Sequence, residues 1–223
     1  MFSSLLLSRA GVRSALVLLG FAALLGASSA RADTISYSLT VGNPGLAGFP
    51  GPYADVLVDR TSSTTATITF TSNTVGGNTY LLGDGGSADV NVNAATWTVG
   101  SFSSSNAGVG FTPGPLSDGG ASAVDGHGIF NQTVDSFDGY THSADTISFI
   151  ITNTSGTWAN AASVLVENAS GNVAAAHIFV CSGTGSCDAS SGALTTGFAT
   201  VPEPSTALLL GGSLLALALT RRR

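Results

Sequence analysis

Thr65-Ala66-Thr67-Ile68-Thr69-Phe70-Thr71 decides the fold. Threonine alternates with an apolar residue at every step, and a period of two sends each residue type to its own face of an extended strand. β-Branched threonine also favours that conformation. Ile35, Tyr37, Leu39 and Val41 alternate in the same way with Thr34, Ser36, Ser38 and Thr40. Ala88, Val90 and Val92 alternate with Asp89, Asn91 and Asn93, and Ile147, Phe149 and Ile151 with Ser148 and Thr152, Ile150 being a lapse. Tyr53 to Val58, Thr96 to Phe102, Ser163 to Glu167, Ala175 to Val180 and Thr195 to Thr200 read as further strands. The pattern predicts half-buried antiparallel strands with one wet face each.

Turn signals separate these runs: Gly42-Asn43-Pro44-Gly45, Gly76-Gly77-Asn78, Gly83-Asp84-Gly85-Gly86, Asp118-Gly119-Gly120 and Ser170-Gly171-Asn172. Ser103 to Gly128 lacks alternation and reads as a functional loop or mobile insertion. No repeat of fixed period points to a solenoid or propeller. The expectation is all-β: a single antiparallel β-sandwich or jelly-roll-like domain over residues 33–200.

Both ends carry processing signals. Met1 to Arg13 holds Arg9 and Arg13 and no acid, Ala15 to Leu25 is apolar, and Ala30-Arg31-Ala32 is an A-x-A cleavage site. Residues 1–32 therefore read as a signal peptide with a signal helix, and the mature chain is expected to begin at Asp33. A cut after Ala30 is the alternative. At the other end, Val201-Pro202-Glu203-Pro204-Ser205 precedes an uncharged run from Thr206 to Leu219, then Thr220 and Arg221-Arg222-Arg223. Two prolines hold Pro202-Glu203-Pro204 extended and out of helix and sheet. The apolar run is shorter than the ~20 residues of an ordinary spanning helix, and Gly211-Gly212 weakens it midway. Residues 206–220 are expected to form a short transmembrane helix, stopped by the arginines, which stay cytoplasmic. An ordinary anchor behind a proline linker is the alternative.

Residues 201–223 resemble the PEP-CTERM sorting signal of Gram-negative bacteria, with its three parts in order: Pro202-Glu203-Pro204, the apolar segment, and the stop at Arg221, Arg222 and Arg223. The resemblance implies recognition and cleavage by exosortase, a membrane protease-transferase. It also implies export through the inner membrane, with the helix held there before processing, and a final place at the cell surface or outside the cell. Family members are often tied to exopolysaccharide and biofilm, so the expected role is structural or adhesive.

Between residues 33 and 200 the only basic side chain is Arg60, against twelve acids, a formal charge of −11. Such a surface repels nucleic acid, anionic lipid and acidic polysaccharide. Cations or neutral glycans are easier partners. Cys181 and Cys187 close a short loop, and in an oxidising compartment a disulfide is expected there; a metal or redox pair is the alternative.

Chemistry-bearing residues are sparse. Asp84 with Asp89, Asp118 with Asp125, and Asp135 with Asp138 are weak candidates for a structural calcium ion, since carboxylates in glycine-rich loops suit a hard cation. None reproduces a helix-loop-helix calcium loop, and no other cofactor is expected. Trp158, in an expected loop, and Tyr140, between Asp138 and His142, are candidate sugar platforms for a lectin-like module. His127 and His142 beside Asp-Gly pairs read as turn residues, and His177 as a strand residue on a polar face. No G-x-S-x-G, HExxH or phosphate-binding glycine loop occurs, and Glu167 is the only glutamate in residues 33–200. The chain is not expected to be an enzyme; a secreted hydrolase would need converging aspartates around Asp118 to Asp138.

Overall fold

The computed structural model describes residues 33–106, 114–136, 142–183 and 192–202. Thirteen strands follow in chain order: β1 (Asp33–Leu39), β2 (Val41–Gly42), β3 (Ala54–Arg60), β4 (Thr65–Ser72), β5 (Thr74–Val75), β6 (Asn78–Val90), β7 (Trp97–Ser105), β8 (Leu116–Val124), β9 (Gly128–Ser136), β10 (Ser143–Ala144), β11 (Thr146–Asn153), β12 (Ala174–Ser182) and β13 (Thr195–Thr200). They form two antiparallel sheets. One has the order β1-β3-β4-β11-β7; the other has β2-β13-β12-β6-β9-β8, with β5 and β10 also paired to β6.

The five-stranded sheet follows the sequence pattern. In β4 and β11 buried and half-buried residues alternate almost throughout. The registers set Ile68 opposite Phe149 and Phe70 opposite Ile147, so the apolar halves coincide across strands. Phe70 and Phe149 stack with centroids 6.4 Å apart. Ile150, the lapse, lies on the other face opposite Thr67. The main core cluster also takes Leu82, Val90, Ala176 and Ile178 from the larger sheet, so both sheets share one apolar core.

The structure departs from the expected strands and turns in four places. The expected strand Ile35 to Val41 breaks after Leu39: β1 joins one sheet and β2 the other. Gly83-Asp84-Gly85-Gly86 is not a turn but lies inside β6, as a bulge in which Leu82 to Asp89 stands opposite Ile178 to Ala175. Asp84 (φ +62°) and Gly86 (φ +70°) take the left-handed conformation that such insertions need. Asp118-Gly119-Gly120 likewise bulges within β8, which occupies much of the stretch expected to be a loop. Ser163 to Glu167 is not a strand: Asn160 caps a 3-10 turn over Ala161–Ser163, and Leu165 makes an isolated bridge to Val92.

Among the described residues no helix is long and apolar enough to cross a membrane. The expected signal helix (1–32) and transmembrane helix (206–220) lie outside the described residues.

Candidate functional site

The folded domain ends inside the expected sorting tail. β13 pairs with β12 on one side and with β2 on the other, where Thr200 lies opposite Val41. Thr200 Oγ1 donates to Ala174 O at 2.7 Å and lies 3.1 Å from Asn172 Oδ1. Val201 remains in the core, 8% exposed, and its N–H reaches Ala174 O. Pro202 is the first exposed residue. No spacer separates the last core side chain from the Pro-Glu-Pro element; Glu203, Pro204 and Arg221 to Arg223 lie outside the described residues.

A pocket of about 380 Å³ opens at this point, lined by Val41, His127, Ser170, Asn172, Val201 and Pro202 among others. Hydrogen bonds lock its wall. His127 is buried, its Nε2 lies 3.2 Å from Phe198 O, and its carbonyl accepts from both Asn168 and Asn172 side-chain amides at 3.0 Å. Gly128 (φ +90°) lets the chain pass Ser170, into which a Cβ would run.

The other end is tied similarly. Asp33, the expected first mature residue, opens β1; its Oδ1 accepts from Arg60 Nε at 2.8 Å and its Oδ2 from the Ala161 N–H at 2.9 Å. The Ala161 N–H, and after it the Arg60 guanidinium, hold the carboxyl below its usual range against a desolvation penalty. Ala30 and Ala32 lie outside the described residues.

The calcium candidates do not converge. Asp89 is not on a wet face: it is fully buried between β9 and β12. Its Oδ1 accepts from Thr133 Oγ1 at 2.7 Å, and its Oδ2 has no partner among the described residues. Burial, reinforced by nearby Asp135, pushes its pKa up to about 8, which favours the neutral carboxylic acid at pH 7. Asp135 accepts from the Gly86 N–H at 2.8 Å. Asp118 accepts from Gln132 Nε2 at 2.8 Å and from the Gly120 N–H. Asp118 lies opposite Val134, whereas Asp135 is one residue further along β9, so the two carboxylates leave opposite faces. Asp125 is elsewhere, held by Asn43 Nδ2. Asp84 sits in the β6 bulge, and Asp138 lies outside the described residues. Among the described residues no group of three or more His, Cys, Asp or Glu is placed to hold a metal.

Trp158 is not an exposed platform. It is 3% exposed and its indole N–H donates to Asn93 O at 2.7 Å, closing a loop onto the core. Gly and Asn neighbours suggested a wet loop, but a large ring buries where it finds a partner for its N–H. Tyr140 and Cys187 lie outside the described residues; Cys181 is buried in β12. His177 is not on an open polar face either. It stacks on Phe198 at 4.5 Å and meets Phe179 edge-on, and burial lowers its pKa although Asp84 opposes this.

One feature escaped the strand-by-strand reading. On the outer face of the five-stranded sheet, Ser36, Leu57, Thr69, Ser148 and Ser103 line up in a single cross-strand row. Ser38, Asp55, Thr71, Thr146 and Ser105 form the next. These rows hold eight hydroxyls, one apolar side chain (Leu57) and one acid (Asp55), with no cation and no aromatic ring. Only registry, which a sequence does not state, turns separate threonines into a surface.

With this geometry in place, the C-terminal residues decide the family of the signal. Residues 200–223 match the PEP-CTERM protein-sorting motif. The PEP-CTERM match thus begins at Thr200, so Thr200 and Val201 belong at once to the sorting signal and to the fold. Neither the curated proteins nor the solved structures include a match to this chain.

Proposed function

We propose that the chain is an exported protein that exosortase processes at its PEP-CTERM tail, and that it serves a structural or adhesive role at the cell surface or in an extracellular matrix of exopolysaccharide or biofilm. The match over residues 200–223 carries the reading. The folded part supports it: two antiparallel sheets around one core suit a sandwich, and the −11 charge of residues 33–200 keeps the domain off anionic membranes and nucleic acid. We also infer a Cys181–Cys187 disulfide, a signal peptide over 1–32 and no catalytic activity, the last because Asp118 and Asp135 point away from each other. Pro202→Ala combined with Pro204→Ala should leave an unprocessed chain in the membrane fraction; a double variant that matures to the wild-type mass overturns the reading.

A second reading, a carbohydrate-binding module, is favoured by the hydroxyl rows on the five-stranded sheet. Hydroxyls without cations suit a neutral glycan and disfavour an acidic one. Processed protein on a glycan array should retain neutral polysaccharides, and EDTA decides whether calcium takes part. Absence of all signal leaves only the structural role.

A further inference from the structure

We propose that the rim around the pocket beside Pro202 is a docking surface for the membrane enzyme that processes the tail, which therefore reads the folded domain as well as the Pro-Glu-Pro peptide. The inference rests on the PEP-CTERM reading and goes beyond it, since a sorting signal recognised as a peptide alone requires nothing of the domain.

Three observations carry it. The sorting match starts at Thr200, whose hydroxyl is buried against Ala174 and Asn172, and Val201 is a core residue. An enzyme that engages the matched segment from its first residue meets β13 and its neighbours. Next comes reach. From Pro202 to Thr206, where the apolar run begins, an extended chain covers at most ~14 Å. While that run sits in the bilayer, the rim is held within ~14 Å of the hydrocarbon edge, close to where a membrane-embedded enzyme works.

The third observation is the rim itself. It is a concavity, not a smooth end, and it combines an exposed apolar side chain, Val41 at 45%, with the hydroxyl of Ser170 and the ring of Pro202. Asp125 precedes Gly126 of the lining, and among the described residues no lysine or arginine lines the pocket. A mixed apolar and hydroxyl rim that offers no cation is poorly suited to anionic headgroups. It suits a protein surface offering an apolar side chain and hydrogen-bond donors. Rigidity helps as well: because Asn168 and Asn172 clamp the His127 carbonyl, little ordering is needed on docking.

The test uses the full chain in cells that carry the sorting enzyme, following tail removal by pulse-chase and intact mass. Val41→Trp and Ser170→Trp fill the pocket from exposed positions. Each should slow tail removal about tenfold, the loss of one good contact, while export is unchanged. A flexible spacer of about eight residues between Val201 and Pro202, ~26 Å when extended, should also slow it by carrying the motif away from the rim. Thr98→Trp, exposed on the five-stranded sheet, serves as the control. Matching unfolding midpoints of the purified variants separate a lost contact from a lost fold. If the unsubstituted chain is not cleaved, the sorting reading itself fails. If it is cleaved and the pocket variants keep pace, or the spacer accelerates cleavage, the docking surface is overturned and the sorting reading stands.

Discussion

In the five-stranded sheet nearly every second side chain of β4 and β11 is buried and its neighbour is half-buried, whereas β6 and β12 of the larger sheet bury both faces along most of their length. The inner side of the larger sheet meets the shared core. Its other side carries two smaller clusters, Leu81 with Phe179 and Cys181, and Val124 with Phe130 and Ala175. One buried face needs only apolar side chains at alternate positions. Two buried faces leave nowhere wet for polar residues, so those present are buried with them: Ser87, Asp89, Thr133 and Ser136 are all at or below 1% exposure. Most are satisfied, Ser136 N–H by Ser87 Oγ and Thr133 by Asp89. Asp89 Oδ2 and His177 Nδ1 are not, among the described residues. An unpartnered buried polar group costs ~1–3 kcal/mol. Among the described residues the larger sheet holds four such buried atoms, on Asp89, Ser117, Ser143 and His177, and the smaller sheet one, Asp59 Oδ1, so most of this cost falls on the larger sheet.

The sharpest way to break this contrast is Asp89→Asn. In the unfolded chain the carboxyl gives up its proton near pH 4, while in the fold it keeps it to about 8. The protonated acid's contribution is thus fully present below pH 4 and is lost as pH rises through the window to 8, at up to ~1.4 kcal/mol per unit. Burial of neutral His177 works in the opposite sense on the acid side, and Asp84 and Asp135 face the same region, so the variant must be compared with the unsubstituted protein at each pH. Asn keeps the acceptor for Thr133 and cannot ionise. Denaturant titrations should find the two proteins alike near pH 4.5 and the variant more stable by ~2–4 kcal/mol at pH 8. Parallel curves at both pH values would remove the strained acid from the comparison.

The same contrast explains what the sequence disclosed. Thr65 to Thr71 and Ile147 to Ile151 were legible because a strand with one wet face writes its burial as a period of two. β6 was not, because Tyr80-Leu81-Leu82 is a continuous apolar run and Gly83 to Gly86 carries turn composition inside a strand. Glycine supports a turn and a bulge with the same left-handed backbone, and only the partner strands decide which. Asp89 fitted alternation with Val90 and was expected to be wet. Its burial depends on β9 and β12, far away in the chain. The tail behaved differently: its signal is local and linear, so its assignment needed no fold. Its junction with the core at Thr200 and Val201 was invisible, since nothing in Val201-Pro202 says that one residue is buried and the next exposed.

Thr69 and Ser148 lie opposite each other on the wet face of the five-stranded sheet, their hydroxyls 3.1 Å apart. Water can replace either partner there, so no orphaned group results when one is removed. Thr69→Ala should cost about 0.5 kcal/mol, most of it β-propensity and packing, and the coupling to Ser148→Ala in a double-mutant cycle should be only ~0.3 kcal/mol. Neither value should change between pH 4.5 and 8, because no titrating group takes part in the contact. A coupling above about 1 kcal/mol would mean that the hydroxyl row is a cooperative network held in a fixed arrangement. Such pre-ordering would strengthen the case for a glycan-binding face, since little side-chain entropy would then be lost when a neutral chain settles along the row.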